Sequence, residues 1–109
     1  MFPLEMVAKD AVAFLHDPSW VWLDVREDEE FSFGHIPSIK HIPMSALTPR
    51  DFDSYSKDQK FMIVCRSGSR SGRVAHSLRS MGFVNACNFS GGMFAYNSLA
   101  EKPIPVLMH

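Results

Sequence analysis

Cys65 stands directly between an apolar run, Phe61 to Val64, and a polar stretch with two arginines, three serines and two glycines in the next seven residues. A thiol in that setting is expected to work as a nucleophile. The segment Cys65-Arg66-Ser67-Gly68-Ser69-Arg70-Ser71 joins a predicted buried strand to a predicted helix, so successive backbone N–H groups can converge above the helix N-terminus, where anions are attracted. The thiolate of Cys65 is then stabilised by the helix dipole, by those N–H donors and by Arg66, Arg70 and, further along, Arg73. Its pKa is expected to fall below the ~8.5 of a free cysteine. Gly68 suits the middle of the loop, where close backbone approach favours a residue without a side chain. Ser67, Ser69 and Ser71 add hydroxyl donors, and Ser71 is placed to cap the helix. The alternative, a small buried hydrophobe at a strand end, does not ask for two arginines and a glycine within five residues. Arg66 reads equally as a solvated loop charge or a substrate contact, Arg70 as turned toward the cradle, and Arg73 as a solvated helix residue.

Asp24 is the other chemical oddity, an acid inside the apolar run Val21 to Val25. An unpaired carboxylate there would be costly, so pairing with Arg26 or with loop backbone is expected in preference to a catalytic role. His16, His41, His76 and His109 show no metal-like spacing with one another or with the cysteines, and neither a metal nor a cofactor is expected. Cys87 sits in a predicted strand as a core residue. A bond between the two sulfurs would require the side-chain directions of two parallel strands to bring them together. Trp20 and Trp22, two apart, share a strand face and are expected in the core, and Phe94 and Tyr96 are candidates for the rim of a pocket.

The elements that must hold these residues alternate between strand and helix. Leu4 to Met6 reads as a short edge strand, and Ala8 to His16 as a helix stopped by Asp17-Pro18. Val21 to Val25 reads as a buried parallel strand. Arg26 to Phe33 is acidic and reads as a helical turn or loop, followed by a turn at Gly34-His35-Ile36-Pro37. His41-Ile42 and Phe61 to Val64 are strands, and Ser71 to Met81 is a helix that carries Val74, Ala75, Leu78 and Met81 at helical spacing up to Gly82. Ala86 to Phe89 is a last strand, Gly91-Gly92 a turn and Met93 to Leu99 a short helix, while Pro103 and Pro105 argue against a helical tail. Such alternation predicts an α/β fold, a parallel sheet covered on both faces with ligands at the carboxyl ends of its strands. Cys65 is at such an end.

The bulk numbers set limits. A chain of 109 residues suits one domain over residues 1–109 and leaves no room for a second catalytic one. With 46% hydrophobic and 21% charged residues it can bury a core, and a net charge of −1 gives no general support for a nucleic-acid or anionic-membrane partner. The N-terminus lacks the pattern of a secretory signal and no segment reads as a membrane span. Two cysteines are too few for a disulfide scaffold, so a cytoplasmic, reducing setting is expected.

The chain resembles the rhodanese family in an ordered set of segments. These are Leu23-Asp24-Val25-Arg26-Glu27, Glu30-Phe31, Gly34-His35-Ile36-Pro37, Ile42-Pro43, Val64-Cys65-Arg66-Ser67-Gly68-Ser69-Arg70-Ser71 and Ser90-Gly91-Gly92-Met93. The resemblance implies a three-layer fold, with a central five-stranded parallel sheet flanked by helices on both faces. It also implies that Cys65 takes sulfane sulfur from a small sulfur-containing anion such as thiosulfate and passes it, as a persulfide, to cyanide, a thiol or a sulfur-carrier protein. By the same resemblance, His35 lies at a position that fixes a turn, and a structural hydrogen bond is expected of it. Ser38-Ile39 replaces the usual Gly-Ala pair, His41 a small polar residue and Tyr96 the usual Trp, all read as packing variations.

Two rival readings are a cysteine phosphatase or arsenate reductase, and a non-catalytic module of the same fold. The first has five residues between Cys and Arg and commonly a His before the Cys, whereas here four residues separate Cys65 from Arg70 and Val64 precedes the thiol. A non-catalytic module would be expected to lose the cysteine.

Overall fold

A computed structural model of the chain describes residues 3–100. Strands β1 (Glu5–Val7), β2 (Trp20–Asp24), β3 (Lys40–His41), β4 (Lys60–Val64) and β5 (Ala86–Ser90) alternate with helices α1 (Ala8–Ala11), α2 (Asp28–Phe33), α3 (Ser69–Ser80) and α4 (Gly92–Ala100). Every strand pair is parallel, and the order across the sheet is β1-β5-β4-β2-β3. The α/β class and the five-stranded parallel sheet are as expected. Pro103 and Pro105 lie outside the described residues.

Side-chain parity divides the core in two. Phe61, Ile63 and Cys65 at and after β4 lie with Leu23, Val25, Val74, Ala75 and Leu78, under α3, while Met62 and Val64 lie with Trp20, Trp22, Cys87, Phe89, Met93 and Tyr96, toward α1 and α4. Both faces are apolar because both are covered, which explains why β2 and β4 are apolar at successive positions apart from Asp24 and Lys60 at their ends. Trp20 and Trp22 are core residues, as expected, and the Trp22 indole N–H donates to the Phe14 carbonyl at 3.1 Å.

Several elements differ from their sequence reading. Helix α1 ends at Ala11 and passes into a 3-10 turn at Val12–Phe14, well short of His16. Arg26 to Phe33 is more than a turn or loop, because Glu27 and Glu30 form a capping box that starts α2 at Asp28. Helix α3 begins at Ser69, two residues before the expected start, with Gly68 at its N-cap. Ser38 has φ 66° and is the one non-glycine residue with positive φ among those described. The replacement of Gly by Ser there is therefore a backbone matter and not a packing variation.

The chain leaves β2 toward β3 on one side of the sheet and leaves β4 toward β5 on the other. Between the carboxyl ends of β2 and β4 the two connections part, which is where open parallel sheets bind ligands. Asp24 pairs in register with Val64, so Cys65 and its loop rise from that point beside Val25 and Arg26.

Candidate active site

Cys65 follows the central strand β4 and is 1% exposed, at the floor of the loop that leads into α3. Its Sγ accepts a hydrogen bond from the Gly68 backbone N–H at 3.1 Å and one from the Ser71 hydroxyl at 3.2 Å. Burial pushes the Cys65 thiol up, but hydrogen bonds from the Ser71 hydroxyl and from the backbone N–H groups of Ser71, Gly68 and Ser67 outweigh it. The net pKa is below the ordinary thiol value. Gly68 makes this closure possible with φ 104°, and a β-carbon on it would come within 3.0 Å of the Gly91 nitrogen.

The loop is held from two sides. From β5, the buried Asn88 donates from Nδ2 to the Gly68 carbonyl at 3.0 Å and accepts from the Ser71 hydroxyl. From α4, the backbone N–H groups of Met93 and Phe94 donate to the carbonyls of Cys65 and Arg66 at 2.9 and 3.1 Å. Two N–H groups that the start of a helix leaves without helical partners are thus satisfied by the loop itself. Ser71 is accordingly not the helix cap expected of it. Its hydroxyl is spent on Cys65 and Asn88, and the N-cap has no side-chain hydrogen bond.

The arginines are placed differently from one another. Arg70 is not aimed free into the cradle, since Glu30 holds it with both carboxylate oxygens at 2.7 Å. That hydrogen-bonded pair lowers Glu30 to about 2 and raises Arg70, to which the Cys65 charge also contributes. Arg66 lies over the Phe94 ring, 5.2 Å from its centroid. Arg73 is exposed on α3 and lines a separate apolar groove of about 390 Å³ with Met44, Leu47 and Phe52.

Asp24 is fully buried and paired with Arg26, which donates from Nη2 at 2.8 Å and from its backbone N–H at 2.9 Å. Arg26 also donates to the carbonyls of Glu30 and Gly34 at 3.1 and 2.9 Å. An Asp24–Arg26 pair thereby fixes α2, and α2 carries Glu30 to Arg70. His35 donates from Nδ1 to the Phe31 carbonyl at 2.9 Å, the structural bond expected of it. Its ring and that of His41 stack on the two faces of Phe31, with centroids 3.8 and 3.9 Å away.

A family model described as the rhodanese-like domain matches residues 7–99. The chain belongs to the rhodanese family. It is 42% identical over 74 residues to the "Putative sulfurtransferase YtwF" of Bacillus subtilis, covering 68% of this chain and 70% of that protein. It is 38% identical over 85 residues to the "Putative sulfur carrier protein YrkF" of the same organism, covering 78% of this chain but only 45% of that one. A crystal structure of a rhodanese-like domain protein from Staphylococcus aureus superposes with a TM-score of 0.75 at 34% identity, over 86% of this chain and 91% of the other. These likenesses support sulfur transfer as the general class of chemistry.

On this rhodanese domain a recess of about 330 Å³ lies on the Arg66 side of the loop, lined by Arg26, Glu30, Phe33, Arg66, Met93, Phe94 and Asn97. Phe94 thus stands at a rim, 59% exposed, whereas Tyr96, also a rim candidate, is buried in the core. Cys87 is buried on the opposite sheet face from Cys65, and desolvation pushes its thiol up to about 11. His76 is exposed on α3. Among the described residues no group of three His, Cys, Asp or Glu side chains is placed to hold a metal ion, and no helix is long and apolar enough to cross a membrane.

Two contributors were missed from sequence. Asn88 carried no signal, because its role depends on the β4–β5 pairing. Glu30 stood in the Glu30-Phe31 segment of the family resemblance, and that was the available sign.

Proposed function

We propose that this protein is a sulfurtransferase of the thiosulfate type that carries sulfane sulfur on Cys65 as a persulfide. The observation that carries the reading is the convergence of the Ser67, Gly68 and Ser71 donors on one sulfur atom. A thiol whose pKa is lowered by its own loop has less need of a separate general base. In the first half-reaction the Cys65 thiolate attacks the outer sulfur of thiosulfate. The new S–S bond forms as the old one breaks, and sulfite leaves with the bonding electron pair. In the second, cyanide or a thiolate attacks the outer persulfide sulfur and returns Cys65 as thiolate.

The backbone N–H donors of the loop can also hold the terminal sulfur of the persulfide. Phosphoryl transfer is less well served, since the guanidinium that would clamp a phosphoryl group is already bidentate on Glu30. The acceptor is a small thiophile or the thiol of a sulfur-carrier protein. The relative named as a sulfur carrier favours the latter, and two free thiols suit a reducing, cytoplasmic setting.

Intact-mass spectrometry after incubation with thiosulfate tests the reading. One added sulfur, about 32 Da, should appear, cyanide should remove it, and Cys65→Ser should abolish it. Hydrolysis of a phosphate ester without a sulfur adduct would replace the proposal with a phosphatase, and neither activity would leave a binding module.

A further inference from the structure

Ser71 has one hydroxyl proton and two acceptors for it. Its Oγ lies 3.2 Å from Cys65 Sγ and within hydrogen-bonding distance of Asn88 Oδ1, and Ser71 and Asn88 are buried, at 0% and 3% exposed. The Asn88 amide is not free to turn over. Its Nδ2 donates to the Gly68 carbonyl at 3.0 Å, and the flipped amide would set two carbonyl oxygens against each other. Asn88 therefore presents an acceptor to Ser71. We propose that Asn88 is a positioning residue that sets the reactivity of Cys65 by competing with it for the Ser71 hydroxyl proton. Asn88 has this role only if Cys65 is the nucleophile, as proposed above.

Two arrangements of the same atoms follow. In the thiol form, Cys65 S–H donates to Ser71 Oγ and Ser71 donates to Asn88 Oδ1, so every group is partnered. In the thiolate form, the hydroxyl turns to the sulfur because an anion is the stronger acceptor, and Asn88 Oδ1 is left facing an oxygen lone pair. Ionisation of Cys65 thus breaks a buried hydrogen bond, and Asn88 holds back part of the thiolate that the loop would otherwise give. When sulfur is loaded, the negative charge moves to the outer sulfur. The Cys65 Sγ is then a neutral sulfur, and the Ser71 proton returns to Asn88. The restored bond favours the loaded protein over the free thiolate.

Of the charged groups nearby, Arg70 is paired with Glu30 and also feels the Cys65 charge, Arg26 is paired with Asp24, Arg66 lies over the Phe94 ring, and Glu5, Arg73 and His76 line a recess beside Gly68 and Asn88. Without Asn88, the Gly68 carbonyl keeps its bond from the Gly72 N–H at 3.0 Å, so the loop retains that tie.

The test is the rate of Cys65 alkylation by iodoacetamide against pH, with the modified site located by mass spectrometry. Asn88→Ala and Asn88→Leu, the latter filling the vacated volume, should each move the inflection to lower pH and raise the rate on its acid side roughly threefold to tenfold. Ser71→Ala should move it the other way. In the Ser71→Ala background, adding Asn88→Ala should change nothing, because the proton under competition is gone. An inflection unmoved or raised in both Asn88 variants, or an acid shift of equal size without Ser71, overturns the proposal. Alkylation requires no sulfur donor, so its failure is distinct from failure to form the persulfide adduct.

Discussion

Glu30 does two things with one side chain: its Oε1 accepts from the Glu27 backbone at the start of α2, and both oxygens hold Arg70 on α3. The hydrogen bond from Arg70 lowers its pKa from 4.5 to about 2. A carboxyl lowered on folding contributes stability that is complete above its unfolded pKa and drains as pH falls through the folded one, so the window runs from about 4.5 down to about 2. The two side chains are 26% and 28% exposed, and solvent screening leaves about 1 kcal/mol. Urea unfolding across that window should show the loss, and Glu30→Gln should be less stable at pH 7 by about that amount with a flatter profile. At this scale the sequence singled out Cys65 and the loop around it, because strand, cysteine, glycine and arginine lie within ten residues. Glu30 is 40 residues from Arg70 and Asn88 is 17 from Ser71, so contacts made only by folding remained hidden.

Helix α4 is the clamp on the active loop, and Gly92 is where clamp meets loop. It has φ 55°, and a β-carbon on it would overlap the Cys65 carbonyl oxygen and the Arg66 backbone. The overlap is with backbone at the strand end, which cannot move aside without displacing Cys65. Gly92→Ala should destabilise the fold by about 2–4 kcal/mol in urea unfolding and reduce sulfur loading in whatever fraction stays folded. The type of most elements was readable, since β2, β4 and α3 carry strong apolar patterns. Boundaries were less so: Ser69 and Arg70 have no apolar periodicity to mark them as the first turn of α3, and the acidic run before Phe33 disguised a helix whose signal is the Glu27–Glu30 capping box.

Across the whole molecule, the sheet keeps the two cysteines apart, with Cys65 under α3 and Cys87 facing α1 and α4. Cys87→Ala should load sulfur on Cys65 as the wild type does, and mild oxidation of the wild type should give no loss of about 2 Da from a Cys65–Cys87 disulfide in a non-reduced intact mass. The parallel sheet with helices on both faces was legible as alternation, but the order β1-β5-β4-β2-β3 was not, because no local pattern records which non-consecutive strands will pair. That order places the two shortest strands outermost, β1 with three residues and β3 with two. Each border is marked by an exposed charge, Glu5 on one side and Lys40 on the other. A foreign strand seeking to extend the sheet finds only a few backbone groups and a charged side chain at either margin. The fold is thereby protected against growing into ordered aggregates by strand addition.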